Sequence, residues 1–165
     1  MVSRRQLRLC VALLCVLWAT ATHAQTLPEK PIDFDQLRAY FEPIDVIASA
    51  ANLCVSLDVI VADTRAQKAR GLMYVRNMPP RAGMLFDYEQ PRQMSMWMKN
   101  TLIPLDILFI DADGDVINIA RDTTPLSLDS ISTVAPARYV LELNAGVADA
   151  LQLAAGATLH IFRRR

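Results

Sequence analysis

The stretch QMSMWMKNTLIPLDILFIDADGDVI, Gln93 to Ile117, decides how this chain folds. Strand-like sequence over about 92–100 is followed by a second run at 105–110, and Pro104 between them suits a bulge or an edge. Asp111-Ala112-Asp113-Gly114 then closes a tight hairpin into Asp115 to Ala120, with Asp-Gly supplying the turn chemistry. Lys99-Asn100-Thr101 and Asp106 are polar groups set into otherwise apolar sequence. If buried they must be paired, so they form either a structural network or a site.

Outward from this hairpin the β signals continue in both directions. Ile44–Ala48 and Leu53–Ala62 read as strands, and in the second Val55, Leu57, Val59 and Val61 alternate with polar Ser56 and Asp58. Asp63-Thr64 caps a helix over Arg65–Arg70, which Gly71 stops. Met78 to Gly83 is a loop, Met84 to Tyr88 a short strand, and Glu89-Gln90-Pro91 a turn. Beyond a long loop from about Thr123 to Pro136, Arg138–Leu143 reads as a strand. A helix then runs from Asn144 or Ala145 to about Leu153, and a last strand covers Ala157–Phe162. Many short strands and two short helices predict a mainly β, single-domain antiparallel sandwich or barrel over residues 43–165. Residues 25–42 read as a mobile leader in which Phe34, Leu37 and Phe41 are spaced for a short docking helix.

The N-terminus sets the expected compartment. Arg4, Arg5 and Arg8 form a basic region, Leu9 to Ala21 an apolar one, and Ala21-Thr22-His23-Ala24 offers small residues for cleavage after Ala24. This is the layout of a signal peptide over residues 1–24, too short and wrongly flanked for a stable span. Export to the periplasm or envelope follows, with no transmembrane span in the mature chain. Ser3-Arg4-Arg5 leaves a twin-arginine route open beside the general one.

Cleavage takes Lys and Arg from 17 to 14 against 17 Asp and Glu, a mature net charge of −3 that argues against a nucleic-acid partner. The terminal Arg163-Arg164-Arg165 reads as a solvated tail. Cys10 and Cys15 leave with the signal, so Cys54 has no intramolecular partner and reads as a buried, inert thiol. His160 is the only mature histidine, which excludes multi-histidine zinc sites. A Cys54–His160 pair requires the first and last strands to be neighbours.

Four constellations carry possible chemistry. Met94, Met96 and Met98 share one strand face, where soft thioethers would suit Cu(I) and core packing is the plainer account. Ser95, Trp97, Lys99 and Thr101 share the other face: a contact surface for a small polar ligand, or an exposed sheet face with Lys99 lying past Trp97. Asp106, among apolar neighbours, needs a partner such as Lys99 or Arg138. Glu142, in Val140-Leu141-Glu142-Leu143, raises the same question, and the two acids are candidates for an acid/base pair. Asp111, Asp113 and Asp115 evoke a calcium loop only superficially, because the required glutamate is missing.

Gly71-Leu72-Met73, Gly83-Met84-Leu85-Phe86, Met96-Trp97-Met98-Lys99-Asn100-Thr101 with Ile103-Pro104-Leu105-Asp106, and Val140-Leu141-Glu142-Leu143 resemble the signature blocks of the DUF192 family. The resemblance spans roughly Leu53 to Phe162. It implies a compact, mostly β domain, commonly exported or membrane-associated, and no particular reaction. Its motif positions fall on Gly71, Met73, Met84, Phe86, Trp97, Lys99, Asn100, Thr101, Asp106 and Glu142.

Three functional expectations follow. The first is an exported domain that binds a small polar ligand or an envelope protein through Trp97, Lys99, Asn100, Thr101 and Asp106, without a cofactor. The second is a hydrolase or lyase using Asp106 and Glu142, with Lys99 tuning them. The third is Cu(I) handling by Met94, Met96 and Met98.

Overall fold

The computed structural model describes residues 26–50 and 53–163. The expected signal peptide and the last two arginines lie outside them. In chain order the elements are α1 (Phe34–Arg38), β1 (Glu42–Ala50), β2 (Leu53–Ala62), α2 (Arg65–Arg70), β3 (Ala82–Arg92) and β4 (Ser95–Met96). They continue with β5 (Leu105–Ile110), β6 (Val116–Ala120), β7 (Ile131–Ser132), β8 (Ala137–Asn144), α3 (Val147–Ala150) and β9 (Thr158–Arg163).

Seven strands form one sheet in the order β6-β5-β8-β3-β2-β1-β9, while β4 and β7 pair separately. The sheet curls into a half-barrel. Its two edge strands meet at one end, where Val116 N–H donates to Ala157 O (2.8 Å) and Leu159 N–H to Gly114 O (2.8 Å). Asp115 and Thr158 pair across this seam, and the Thr158 hydroxyl donates to Asp115 Oδ1 at 2.7 Å. Gly114 has φ +96°, and a Cβ there would lie 2.5 Å from the Leu159 carbonyl oxygen, so the seam needs a glycine.

The mainly β class holds, with one difference from the sequence reading. One pair, β2–β3, is parallel, because the chain crosses over through α2 and the segment after it before returning beside β2. The described residues hold three short helices: the two expected beside the strands, and α1, which falls where the short docking helix of the leader was expected.

Both sheet faces are covered. On the concave side Val46, Leu57, Val59, Leu85, Leu108, Leu141 and Leu159 pack together under Ala148 of α3. The opposite face carries Ile60, Met84, Phe86, Ile107, Phe109 and Val140, roofed by α1, the α2–β3 segment and the 94–104 loop. The leader packs onto the domain from Ile32 onward. Phe34 and Leu37 are fully buried, and Ile32 bridges Val75 through two backbone hydrogen bonds of 3.0 Å to its neighbours Tyr74 and Arg76.

Local chemistry explains the smaller departures. The turn expected at Glu89-Gln90-Pro91 is a bulge within a longer β3. Glu89 has φ 64°, its N–H is held by Asp87 Oδ1 at 2.9 Å, and the register with β8 shifts between Asp87 and Arg92. The strand expected over 92–100 shrinks to Ser95–Met96, because Lys99 and Asn100 turn and Asn100 takes φ 56°. The helix expected to reach Leu153 is one turn long. Cys54 is exposed rather than buried, since β2 passes beyond the covered half-barrel until Leu57. It pairs in register with Ser49, whereas His160 pairs with Ile47 on the far edge of β1, so the two do not meet. Asp111 Oδ1 accepts the N–H groups of Asp113 and Asp115 at 2.9 Å each, which makes the acidic triplet a hairpin turn.

Candidate functional site

The end of α2 lies against the 97–100 turn, and a cleft opens between them. Thr64 and Gln67 cap α2 reciprocally, with Gln67 N–H donating to Thr64 Oγ1 at 3.2 Å and Thr64 N–H to Gln67 Oε1 at 3.1 Å. Gly71 ends the helix at φ +47° and releases the chain into Met73 and Tyr74. Tyr74 N–H donates to Asn100 O at 2.7 Å, and Asn100 Nδ2 donates back to the Tyr74 hydroxyl at 2.9 Å. Both residues have positive φ, 62° for Tyr74 and 56° for Asn100. Two facing residues in this sparsely populated region hold each other in place.

The cleft has a volume of about 600 Å³ and is walled by Tyr74, Trp97, Lys99 and Asn100, with Glu29 and Arg70 opposite. Trp97 is 50% exposed, and Lys99 Nζ sits 5.0 Å from its ring centroid. A smaller recess of about 170 Å³ adjoins it and shares Ala69, Arg70, Met73 and Trp97. Its remaining lining includes Thr101, Met96, Lys68 and Glu142.

Two buried titratable groups mark this pair of recesses. Arg70 is 6% exposed; its Nε donates to Pro28 O at 2.8 Å and its Nη1 to the carbonyls of Gly71 and Met73. Its Nη2 has no partner among the described residues. Glu142 is 5% exposed, and no hydrogen bond or charge among the described residues offsets the desolvation of its carboxyl. Its strand neighbours are Met84 of β3 and Ile107 of β5, both fully buried. Burial in this apolar setting pushes its pKa up from 4.5 to about 8, so the group is mostly protonated at neutral pH.

The sequence-predicted residues thus divide. Trp97, Lys99 and Asn100 line the cleft, and Thr101 joins Trp97 and Glu142 in the recess. Asp106 is elsewhere. It is 1% exposed, and its carboxylate accepts the N–H groups of Ala148 at 2.8 Å and Asp122 at 3.0 Å. Neither Lys99 nor Arg138 neutralises it; Arg138 lies 3.5 Å from Asp87 instead. Asp106 also pairs in register with Leu143 while Glu142 pairs with Ile107, which puts the two carboxyls on opposite sheet faces. The acid/base pairing of Asp106 with Glu142 is therefore not geometrically possible.

The methionines turn inward as separate packing elements. Met94 and Met98 are buried; Met98 Sδ accepts from the Thr123 hydroxyl at 3.2 Å, and Met96 Sδ from the Tyr88 hydroxyl at 3.8 Å. Among the described residues no cluster of three or more His, Cys, Asp or Glu is placed to hold a metal. Sequence reasoning missed Arg70 and Tyr74. An arginine at a helix C-terminus is an ordinary surface feature, and only its adjacency to Gly71-Leu72-Met73 pointed to it.

Comparisons with known proteins agree with this architecture. The model of the DUF192 family, described as "Uncharacterized ACR", matches residues 46–161. A crystal structure from Sinorhizobium meliloti 1021, described as a candidate transcription regulator, is similar at 40% identity and a TM-score of 0.72, covering 73% of this chain and 95% of its own. A protein of unknown function from Novosphingobium aromaticivorans DSM 12444 is similar at 31% identity and a TM-score of 0.69, covering 72% and 84%. No curated protein matches.

Proposed function

The chain belongs to the DUF192 family, and from that membership and the cleft between α2 and the 97–100 turn we propose that it is a binding module for a small polar ligand. One observation carries the reading. A half-exposed tryptophan with a lysine over its ring stands at the mouth of a recess holding a buried carboxyl whose desolvation nothing offsets among the described residues. Stacking surface, polar groups and a dry floor converging on one concavity are what ligand sites require. Thr101 and Asn100 support the same concavity, while Asp106 contributes by anchoring α3 to β5.

The same proposal places the protein outside the cytoplasm, in the periplasm or envelope. That rests on the basic, apolar and small-residue layout of residues 1–24. Mass spectrometry of the protein recovered from expressing cells tests it: a mature chain beginning at Gln25 is expected, and an intact Met1 terminus in the cytoplasm overturns it. The description of the Sinorhizobium relative points toward gene control. A formal charge of zero, or −3 once residues 1–24 are removed, does not favour a nucleic-acid ligand here.

Trp18 and Trp97 are the only tryptophans, so in a chain starting at Gln25 selectively excited tryptophan emission comes from Trp97 alone. Titration with a panel of small amino acids, sugars, carboxylates and amines tests the reading directly. A saturable change in Trp97 emission with at least one member is expected. No response from any class would overturn it. An envelope protein is the second reading, and the exposed Leu126, Leu128 and Val134 on the 121–136 loop favour it.

A further inference from the structure

We propose that the recess beside Trp97 receives the backbone end of a small α-amino acid, its ammonium group on Glu142 and its carboxylate on Arg70, with the side chain leaving along Trp97 into the wider cleft. This rests on the binding-module reading and names its ligand class. Two independent observations meet here. Glu142 and Arg70 are each more than nine-tenths buried; Arg70 Nη2 has no partner among the described residues, and no hydrogen bond or charge there offsets the desolvation of the Glu142 carboxyl. Both also line the same recess of about 170 Å³ without pairing with each other.

The two orphans ask for opposite things. A buried carboxyl without a donor is answered by an ammonium, and a guanidinium N–H without an acceptor is answered by a carboxylate. A simple anion would serve Arg70 and take only the O–H of the protonated Glu142, with no ion pair there; a simple amine would leave Arg70 unanswered. A zwitterion of backbone dimensions answers both at once. The surroundings suit it: Lys68 and Arg70 present positive charge from α2 and Trp97 offers a π face, while Met96 and Phe86 keep the floor dry.

Binding is then linked to a proton. The titratable and charged groups near the Glu142 carboxyl are Lys68 and Arg70 on α2, Tyr88 on β3, and Arg92 stacked 4.4 Å from the Tyr88 ring. Met84 and Ile107 flank it in the sheet and offer no charge. The free site holds Glu142 protonated at pH 7. The incoming ammonium keeps its three protons, so Glu142 gives its own to the buffer and forms the ion pair as carboxylate. With the free-state value near 8, the larger part of a proton is released per ligand bound at pH 7. Apparent affinity rises with pH up to about 8 and levels off above it.

Calorimetric titration of the chain from Gln25 tests this, with glycine, L-alanine and L-leucine as probes in PIPES and HEPES at pH 7. Acetate and methylamine serve as half-ligands, and a sugar as a neutral control. Saturable binding of at least one amino acid is expected, with release of the larger part of a proton and each half-ligand at least 100-fold weaker. Glu142→Gln is nearly isosteric and should fold; it should lose at least tenfold in affinity and all proton release. Trp97→Ala, at an exposed position, is the second variant and should weaken leucine more than glycine. Amino-acid binding without proton release, or unchanged in Glu142→Gln, overturns the assignment. If amino acids fail while a sugar or acetate changes Trp97 emission, this inference falls and the binding module stands; if no probe does so, both fall.

Discussion

Asp106 and Glu142 lie on adjacent strands one register step apart, yet their carboxyls leave the sheet on opposite faces. Asp106 holds the backbone amides of Ala148 and Asp122 and so ties α3 to the sheet. Replacement by Asn keeps one acceptor and turns an NH₂ group toward the other amide. Loss of one charge-assisted hydrogen bond is expected to lower stability by about 2–3 kcal/mol in urea unfolding. Lys99→Met, which removes only an exposed cation over Trp97, should stay within about 1 kcal/mol.

Glu142 gives stability an unusual pH dependence. Its folded pKa of about 8 lies above its ordinary 4.5, so the folded state holds a proton that the unfolded chain gives up. Stability therefore falls as pH rises from about 4.5 to about 8 and is flat in this respect above. Glu142→Gln should match the parent near pH 5 and exceed it at pH 9 by several kcal/mol, since each unit of pKa is worth about 1.4 kcal/mol. Denaturant unfolding at the two pH values checks both limbs.

Trp97 is predicted to separate binding from folding. Half of its surface faces solvent, so Trp97→Ala should shift the melting temperature little while weakening ligand at least tenfold. Paired thermal melts and titrations read the two effects independently.

The leader carries a different weight. Phe34 is buried against the outer sheet face, ahead of the region the family model matches. Phe34→Ala should cost about 3–5 kcal/mol, as for a core aromatic. A change below about 1 kcal/mol in equilibrium unfolding would detach the leader from the fold.

Gly114 combines left-handed backbone with close approach to Leu159. Gly114→Ala is expected to destabilise by roughly 1–3 kcal/mol from backbone strain alone. Because the damage is local, hydrogen exchange should rise first at Val116, Ala157 and Leu159.

Local chemistry was legible in the sequence where it is self-contained. Thr64 and Gly71 fix the two ends of α2, and Asp113-Gly114 fixes the β5–β6 hairpin, because each signal acts within a few residues. The alternation of Met94, Met96 and Met98 against Ser95, Trp97 and Lys99 also gives the right inner and outer faces up to the turn at Asn100. Thr101 is buried because that turn changes the phase. The parallel β2–β3 pairing was not legible, since a single six-residue helix gives little sign of a crossover. Nor were the partners of Asp106: they are backbone amides, which every residue but proline carries. Arg70 was hidden because its burial comes from Pro28 and Tyr74, distant or unusual in conformation.

The parallel pairing of β2 with β3 has a consequence for how the cleft can diversify. Parallel neighbours cannot be joined by a tight turn, so the connection bearing α2, Arg70 and Tyr74 is compulsory wherever this topology is kept. The opposing 97–100 turn is under no such obligation. One jaw of the cleft is fixed by architecture and the other is exchangeable, so new ligand preferences can be grafted at Trp97, Lys99 and Asn100 without redrawing the fold.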